Sequence, residues 1–224
     1  MSKPPGLLVH RTGLDAGEIR FAVQLLRDQL NRPVWPAHRL DKGTSGVLLF
    51  ALDADTASAL GRQFEAGSAI RKTYRAMVRG WSEAEGCIDH PLRRMTDDSR
   101  TRAAAVGDAQ PARTRYRTLQ RYELPLPLGA FPATRCALVE LEPCTGRRHQ
   151  LRRHMKHIAH PLIGDATHGK GPLNRSVAAL LGLQRLWLHA WRLELAHPLS
   201  GRPLTLEAAP GAEWNLWAPY RLPG

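Results

Sequence analysis

The sequence predicts an α+β fold in a single domain that spans residues 1–224. Segments with a strand pattern outnumber those with a helix pattern, and the two kinds do not alternate in a regular βαβ rhythm. The chain has 224 residues, of which 43% are hydrophobic and 23% are charged. This composition is close to the globular average, and the length is sufficient to bury a core without disulfides or structural metals.

One helix and one strand are predicted near the N-terminus. A capping box at Asp15–Glu18, followed by apolar residues at helical spacing, predicts a helix over residues 15–31. Pro33 and Pro36 are expected to end this helix, because the residue before a proline avoids the helical conformation. The apolar run Val47–Leu52, bounded by turn residues, predicts a buried strand.

A second helix and a second strand follow. Asp53 or Asp55 is expected to cap the helix, which continues through Glu65 with its apolar residues on one face. Polar and apolar residues alternate over Lys72–Val78, which predicts a strand. Periodicity is lost over residues 96–112, where we expect a surface loop.

The second half of the chain is predicted to consist mostly of strands, separated by one helix. The helix pattern covers Arg148–His160 and ends at Pro161. The predicted strands are residues 113–120, 134–142, 186–196 and 203–208.

The charge balance points to a polyanionic partner. Lys and Arg number 32 against 20 Asp and Glu, which gives a net charge of +12. Such an excess attracts phosphates and is typical of proteins that bind nucleic acid. GC-rich coding would favour Arg over Lys, but it does not explain the shortage of acidic residues.

The sequence lacks the marks of a membrane or exported protein. The longest apolar runs, Val47–Leu52 and Val177–Leu183, are much shorter than the ~20 residues of a membrane span. Residues 1–10 carry no signal-peptide pattern. The three cysteines form no CxxC pair, which fits a reducing compartment, and we therefore expect a cytoplasmic protein.

The first candidate site is the segment His38–Gly46, HRLDKGTSG, which lies just before the predicted strand at Val47. A loop at the end of a core strand is a common place for catalytic side chains. Asp41 stands close to Arg39 and Lys42, and neighbouring cations favour an ionised carboxylate, which can act as a nucleophile or general base. The alternative is a turn in which Asp41 only caps backbone amides.

The second candidate site is Thr145–His154, TGRRHQLRRH. Arg147 and Arg148 at a helix start would bind phosphate, where the helix dipole already favours anions, and one inward-facing arginine would pair with Asp41. The alternative is a solvated basic helix.

Neither a metal site nor a nucleotide cofactor is expected. Four histidines lie on or beside the predicted helix: His149, His154, His157 and His160. The last three stand at steps of three and fall near one face. However, no cysteine or carboxylate stands at ligand spacing, and the neighbouring cations would repel a divalent ion. The chain has neither a GxGxxG nor a GxxxxGK[ST] motif, so neither NAD nor ATP is indicated.

Taken together and in order, the segments resemble those of the RluA family of pseudouridine synthases. The matching segments cover nearly the whole chain: Lys3–Gly6, Leu8–His10, His38–Gly46, Lys72–Gly80, Thr145–His154, Pro161–Asp165, Leu188–Ala190 and His197–Pro198. HRLD followed by TSG is the most specific of them. Softer matches favour the tRNA-modifying members of the family: Trp35–Ser45, Pro111–Tyr116 and Leu183–Leu186.

The resemblance implies a fold, a reaction and a substrate. The fold would be the pseudouridine synthase catalytic fold, a mixed and mostly antiparallel central sheet flanked by helices, with a basic active-site cleft. The reaction would convert one uridine of tRNA, uridine 65 in the T stem, to pseudouridine without a cofactor. A synthase of the same family acting on ribosomal RNA, a non-catalytic RNA-binding protein and a zinc-dependent hydrolase are the alternatives.

The resemblance also implies roles for individual residues. Asp41 would attack the uridine, at the sugar or at the base, and Arg39 would help to displace the nucleotide and hold its phosphate. Tyr74 would stack on or orient the flipped uracil and would also serve in a proton transfer. Arg152 would keep Asp41 charged, with Leu151 packed beside it. RNA would be bound by a set of basic side chains: His38, Lys42, Arg147, Arg148 and His149.

The N-terminus departs from the family pattern. Members of the family usually carry another strand before the segment that here begins at Lys3, so we expect an N-terminal strand to be missing and a sheet edge to be uncovered. No S4-type RNA-binding domain is expected, and the catalytic domain is expected to be a monomer.

Overall fold

The computed structural model describes residues 1–11, 19–67, 70–95 and 105–223. The helices in these ranges are α1 Ala22–Leu30, α2 Ala54–Ala66, α3 Gln150–His157 and α4 Gly171–Leu181, with a 3-10 helix over Ala212–Tyr220. The strands are β1 Ser2–Lys3, β2 Trp35–Pro36, β3 Ser45–Val47, β4 Phe50–Ala51, β5 Arg71–Arg79, β6 Glu85–Asp89, β7 Leu92–Met95, β8 Ala105–Gln110, β9 Arg113–Leu124, β10 Thr134–Pro143, β11 Leu188–Ala196 and β12 Pro203–Glu207.

A mixed, mostly antiparallel sheet forms the centre of the fold. Its strand order is β1-β3-β11-β5-β10-β9-β6, and β12 also pairs with β11. The β3–β11 pair is parallel, whereas β5 pairs antiparallel with both β10 and β11. The short strands β2 and β4 form a separate pair, as do β7 and β8. The predicted α+β class and the predicted kind of sheet are therefore confirmed.

Two core clusters lie on opposite faces of this sheet, because successive residues of a strand point to opposite sides. On one face, Ala76 and Val78 of β5 pack against Leu151 and Met155 of α3. On the other face, Met77 packs in a cluster that includes residues of α4 and of the 3-10 helix. The sheet is thus covered on both sides, and α3 lies on the face that carries the candidate site.

The first helix is shorter than predicted. α1 begins at Ala22, and the proposed capping box at Asp15–Glu18 lies outside the described residues. The first two amides of α1 donate to the carbonyl oxygens of Leu8 and Val9, at 2.8 and 3.1 Å. Ile19 is 82% exposed and therefore does not belong to a buried helix face. The helix start is thus satisfied by a distant backbone segment, which a local motif could not reveal.

The predicted strand Val47–Leu52 is divided between two sheets. β3 belongs to the central sheet and β4 pairs with β2, with Leu48 and Leu49 between them. The amide of Leu48 donates to the carbonyl of Met1, whereas the carbonyl of Leu49 accepts from Ala37. A short apolar run indicates burial but does not identify the backbone with which it pairs, and the prediction of one strand was wrong for this reason.

Two other boundaries also differ from the predictions. In the predicted loop 96–112, residues up to 104 lie outside the described residues, but Ala105–Gln110 is strand β8. The helix predicted over Arg148–His160 is limited to α3, because His149 before it and Ala159 after it both adopt positive φ, at 53° and 64°.

The remaining predicted elements are confirmed with small shifts in their bounds. Asp53 caps α2, with its side chain accepting from the amide of Thr56 at 2.7 Å. β5, β9, β10, β11 and β12 occupy the segments predicted as strands. α4, β6, β7 and the 3-10 helix were not predicted. No helix in the described ranges is long and apolar enough to cross a membrane.

Candidate active site

All ten site residues predicted from the sequence line one cleft of about 1460 Å³. They come from the loop before β3, from β5, and from the segment that leads into α3: His38, Arg39, Asp41, Lys42, Tyr74, Arg147, Arg148, His149, Leu151 and Arg152. The fold therefore brings together segments that are more than a hundred residues apart in the chain.

The loop that carries Asp41 is a tight turn fixed to β11. The amide of Thr44 donates to the carbonyl of Asp41 at 3.0 Å, which closes a turn with Lys42 and Gly43 at its centre. Gly46 has a φ of 113°, and a Cβ atom there would lie 2.1 Å from the carbonyl oxygen of Ala190. A side chain at this position would separate β3 from β11, so the glycine allows the close approach that sets the position of the turn.

Asp41 is held by an arginine that is itself held by a second carboxylate. Arg152 donates from Nη1 to Oδ2 of Asp41 at 2.9 Å, and from Nε and Nη2 to the two oxygens of Asp165, both at 2.7 Å. The side chains of Asp165, Arg152 and Asp41 are 0%, 9% and 31% exposed. The series runs from the protein interior to the cleft and ends on Asp41, the most exposed of the three side chains.

The charge of Asp165 is stabilised strongly enough to withstand burial. Burial by itself raises the pKa of this carboxyl group, but the hydrogen bonds and charge of Arg152 reverse the effect and leave the pKa below its usual value. The amides of Thr167 and His168 also donate to Asp165, each at 2.9 Å. Asp165 is therefore an ionised anchor for Arg152 at neutral pH.

Tyr74 and Leu151 form the apolar part of the cleft wall next to Asp41. Tyr74 lies on β5 and packs against the core cluster that contains Leu151. Burial, and secondarily the charge of Asp41, raises the pKa of the Tyr74 phenol well above its usual value. At neutral pH this side chain is a protonated phenol with a flat face, suited to stacking and to donating a hydrogen bond.

His149 occupies a left-handed backbone conformation on the other side of Asp41. Its Nε2 lies 3.7 Å from Oδ2 of Asp41, and its Nδ1 lies 3.1 Å from Nε2 of His168. Burial lowers the pKa of His149, although the charge of Asp41 acts in the opposite direction. Burial also lowers the pKa of His168, to about 4. Both imidazoles are therefore neutral at neutral pH.

A buried lysine donates a hydrogen bond to the turn that carries Asp41. Lys3 is 1% exposed, and its Nζ donates to the carbonyls of Pro4, Leu7 and Lys42 at 2.9, 2.7 and 3.1 Å. Burial lowers its pKa to about 8, with Asp41 acting in the opposite direction. Lys3 thus ties the N-terminal segment to the residue that follows Asp41.

The basic rim of the cleft is made of exposed side chains on ordered backbone. Arg39, Lys42, Arg147 and Arg148 are all exposed. Gln150 is buried and holds the second segment in place, since its Oε1 accepts from the amide of Arg147 at 3.0 Å and its Nε2 donates to the carbonyl of Arg113 at 2.9 Å.

His38 lines the cleft but makes internal contacts. Its Nε2 accepts from the amide of Leu49 at 3.2 Å, and its ring stacks on Phe64 with centroids 5.0 Å apart. Burial, followed by the charge of Lys72, lowers its pKa to about 4. Any contact from His38 to RNA would therefore be a hydrogen bond of a neutral ring.

The comparison with protein families decides what kind of site this is. The family model described as RNA pseudouridylate synthase matches residues 1–157 of the chain. The chain belongs to the RNA pseudouridylate synthase family. This synthase is 47% identical over 215 residues to tRNA pseudouridine synthase C of Salmonella typhimurium, covering 96% of this chain and 82% of the relative. It is 46% identical to tRNA pseudouridine synthase C of Vibrio cholerae, covering 96% and 88%.

Solved structures agree with the fold. Human RNA Pseudouridylate Synthase Domain Containing 1 superimposes on the synthase with a TM-score of 0.73 at 24% identity, covering 96% of this chain and 87% of that one. Human RNA Pseudouridylate Synthase Domain Containing 4 gives a TM-score of 0.67 at 26% identity, covering 96% and 86%. The expected family fold is therefore confirmed.

Sequence reasoning missed several residues that support the active site of this synthase. Asp165 has a signal that could have revealed it, because it is the only acidic residue between Glu142 and Glu194, in a stretch rich in Arg and His. Lys3 lies in the matching segment Lys3–Gly6, but its role could not be read from it, and His168 has no signal, since the importance of both depends on burial and on partners that are distant in the sequence.

Arg185 is another supporting residue that was not predicted. Its Nη2 donates to Oγ of Ser45 at 2.9 Å, and Ser45 is hydrogen-bonded in turn to Nδ1 of His189 at 2.9 Å. Arg185 also pairs with Glu213 of the 3-10 helix. Ser45 follows the catalytic turn, so this buried network connects the turn to the C-terminal part of the fold.

Proposed function

We propose that this pseudouridine synthase acts on tRNA and converts uridine 65 in the T stem to pseudouridine. The observation that carries the proposal is the Asp41–Arg152 pair of 2.9 Å, which places a charged carboxylate in a cleft with a basic rim. The choice of tRNA is supported by the relatives named tRNA pseudouridine synthase C, which are 46% and 47% identical to the chain.

Asp41 is the proposed nucleophile. Arg152 and His149 both approach its Oδ2, which leaves Oδ1 to meet C1′ of the ribose or C6 of the uracil. In either case the bond between N1 and C1′ breaks, the base rotates, and a bond forms between C5 and C1′. A proton leaves C5 and N1 gains one, so the product is an isomer of the substrate. No cofactor is needed, because no atom or electron is gained or lost overall.

The target base must leave the RNA helix before this chemistry can take place. Flipping a nucleotide out of the stack costs a few kcal/mol. We propose that Arg39 displaces the nucleotide and holds its phosphate, that Tyr74 orients the flipped uracil, and that Leu151 packs beside Asp41. Lys42, Arg147 and Arg148 bind phosphates of the flanking nucleotides, the neutral ring of His38 contributes a hydrogen bond, and His149 contacts the target nucleotide beside Asp41.

The proposal extends to the working form of the protein. Residues 1–224 act as one catalytic domain and as a monomer, with the cleft of a single chain holding the target nucleotide. Because its substrate is tRNA, the enzyme works in the cytoplasm.

Mapping of pseudouridine in cellular RNA tests the proposed substrate. Total tRNA and ribosomal RNA are compared between cells that carry the gene, cells that lack it, and cells that express the Asp41→Asn variant. We expect the T-stem pseudouridine to be lost in the second and third strains and all other sites to be kept. Loss of a ribosomal site instead would overturn the tRNA proposal.

A purified-protein assay tests the nucleophile. Asp41→Asn keeps the shape of the side chain and most of its hydrogen bonding but removes the charge and the attacking oxygen. We expect no detectable pseudouridine, with RNA binding and the unfolding transition close to wild type. Activity within about tenfold of wild type, a difference of only about 1.4 kcal/mol in barrier, would contradict the assignment.

A further inference from the structure

The proposed reaction leaves one proton without an acceptor. After C5 has bonded to C1′, C5 still carries its hydrogen and N1 is doubly bonded to C6. The reaction ends when a base removes that proton and the C–H electrons form the C5–C6 double bond. The electrons of the N1–C6 double bond then move to N1, which takes a proton. The base must stand close to Asp41, because C1′ and the uracil ring both lie against that carboxylate.

Most polar side chains of the described cleft are poorly suited to accept this proton. The rim side chains Arg39, Lys42 and Arg148 are cations without a lone pair to offer. The phenol of Tyr74 stays protonated because burial raises its pKa, and a protonated phenol is a weak base. The amine of Lys3 is buried under the turn and is occupied by three carbonyl oxygens.

His149 has the chemistry and the position that are required. Its side chain is 15% exposed on the cleft wall, and its Nε2 is 3.7 Å from Asp41. Burial lowers its pKa, so the ring is neutral and one nitrogen carries a lone pair. The left-handed φ of 53° is uncommon for a residue other than glycine, and such conformations are often found at functional sites.

His168 contacts Nδ1 of His149 and not the Nε2 that faces Asp41. The two rings meet at 3.1 Å, Nδ1 of His149 to Nε2 of His168, with an interplanar angle of 77°. When Nδ1 of His149 donates to His168, the lone pair of His149 is on Nε2, the nitrogen that faces Asp41. His168 is itself fixed, because its amide donates to Oδ1 of Asp165 at 2.9 Å.

We propose that His149 is the base that removes the C5 proton, and that His168 positions it by accepting a hydrogen bond from its Nδ1, which places the lone pair of His149 on Nε2. The proposal rests on the proposed pseudouridine synthesis with Asp41 as nucleophile. In the final step the C5 proton passes to Nε2 of His149, which becomes an imidazolium and keeps its Nδ1 proton bonded to His168. His149 then releases the Nε2 proton to solvent, and N1 of the uracil takes one from solvent, so the protons balance and the starting tautomer is restored.

The charges around His149 and His168 allow His149 to bind the C5 proton only weakly. Asp41 and Asp165 stabilise a protonated His149, whereas Arg152 and Arg148 oppose it. Burial lowers the pKa of His168, Asp165 acts to raise it, and Arg152, His149 and Lys156 act to lower it further. A base that binds the proton weakly returns to its neutral form for the next reaction.

The His149→Asn variant is the sharpest test. Asparagine tolerates the left-handed backbone, and its amide can still donate to His168, but it has no nitrogen at the Nε2 position. We expect single-turnover pseudouridine formation to fall by roughly 10²–10⁴-fold, the usual contribution of a general base. A primary isotope effect should appear with uridine deuterated at C5, because removal of this proton becomes rate-limiting.

Tests with 5-fluorouridine in the target position separate a base from a structural residue. Fluorine cannot leave C5 as a cation, so the reaction stops after the bond between C5 and C1′ has formed, and water then adds at C6. We expect His149→Asn to form this rearranged product at the wild-type rate, whereas Asp41→Asn forms none. His168→Asn is expected to show the same isotope effect with a smaller loss of rate. His157→Asn, exposed on α3 and outside the cleft, is the matched control and should behave as wild type.

Several results would overturn the proposal. If His149→Asn slowed the reactions of uridine and 5-fluorouridine by the same factor, His149 would be a structural or RNA-binding residue only. Wild-type activity of the His149→Asn variant would exclude His149 as the base. An isotope effect that appeared in Tyr74→Phe and not in His149→Asn would assign removal of the C5 proton to the phenol of Tyr74. Failure of the wild-type protein to form pseudouridine in any RNA would instead overturn the proposed function.

Discussion

Asp165 binds Arg152 through both of its oxygens and thereby determines which nitrogen of the guanidinium reaches the cleft. Nε and Nη2 each donate to Asp165 at 2.7 Å, and Nη1 remains to donate to Asp41 at 2.9 Å. Two parallel hydrogen bonds fix the plane of an arginine far better than one. The orientation of Asp41, the proposed nucleophile, therefore depends on a second carboxylate that is fully buried.

Removing the charge of Asp165 should destabilise the protein. Asp165→Asn leaves Arg152 buried without its full partner, and breaking a buried ion pair costs about 3–5 kcal/mol. We expect a loss of unfolding free energy toward the lower end of this range in urea denaturation, because asparagine keeps one acceptor. Glu142→Gln, which breaks the exposed pair with Arg71, is the control and should cost about 0–1 kcal/mol. Equal losses in the two variants would mean that the buried pair contributes no more than a surface contact.

Neighbouring arginines of α3 should have different functions. Arg152→Ala frees Asp41 to move, and a displacement of about 1 Å at a catalytic group can cost about 10²-fold in rate. Arg153 donates instead from Nη1 to the carbonyl of Arg93 at 2.9 Å, toward the β7–β8 pair. We expect Arg153→Ala to weaken RNA binding and to leave the single-turnover rate at saturating RNA near wild type. Similar rate losses in both variants would contradict the inward orientation of Arg152.

The exposed arginines of the rim should determine the salt dependence of RNA binding. Each phosphate contact releases counterions, so removing one lowers the slope of log K against log salt concentration by about one. We expect the Arg147→Gln, Arg148→Gln double variant to lower the slope by about two. Arg27→Gln, a control on α1 where Arg27 pairs with Asp28, should leave it unchanged. A slope that is the same in all three proteins would remove the rim arginines from the RNA interface.

His38 should make stability depend on pH in the acidic range. Its pKa is lowered to about 4 from an ordinary value of 6.5 because burial disfavours the charged ring. Between these values the unfolded chain binds the proton and the folded protein does not. The stabilisation is therefore complete above about pH 6.5 and is lost as the pH falls toward 4, by at most about 1.4 kcal/mol per pH unit.

The His38→Gln variant isolates this contribution. Glutamine can accept from the amide of Leu49 but does not titrate, so the difference in unfolding free energy between wild type and variant should narrow as the pH falls. A pH-independent difference for His38→Gln would show that the ring is not held in the neutral form.

The parts of the fold that could be predicted are those whose cause is local. Polar and apolar residues alternate over β5, and Asp53 caps α2. Both patterns depend on a few neighbouring residues, and both predictions are confirmed. The start of α1 and the division of Val47–Leu52 depend on hydrogen bonds from Leu8, Val9, Met1 and Ala37. These partners are distant in the sequence, so the predicted bounds were wrong there even though the apolar pattern was read correctly.

By itself, the sequence determined the chemical inventory of this protein: a basic chain, a loop with Asp41 between cations, an arginine-rich segment, and the order of motifs that resembles pseudouridine synthases. Only the tertiary structure decided how these groups are used, because Asp41 and Arg152 are 111 residues apart and meet only when β3, β11, β5 and β10 pair, with α3 following β10. Arg152 keeps Asp165 ionised in spite of burial, whereas burial keeps His38, His149 and His168 neutral. Local composition specifies which groups can ionise, whereas desolvation and the partners supplied by distant segments determine which of them do.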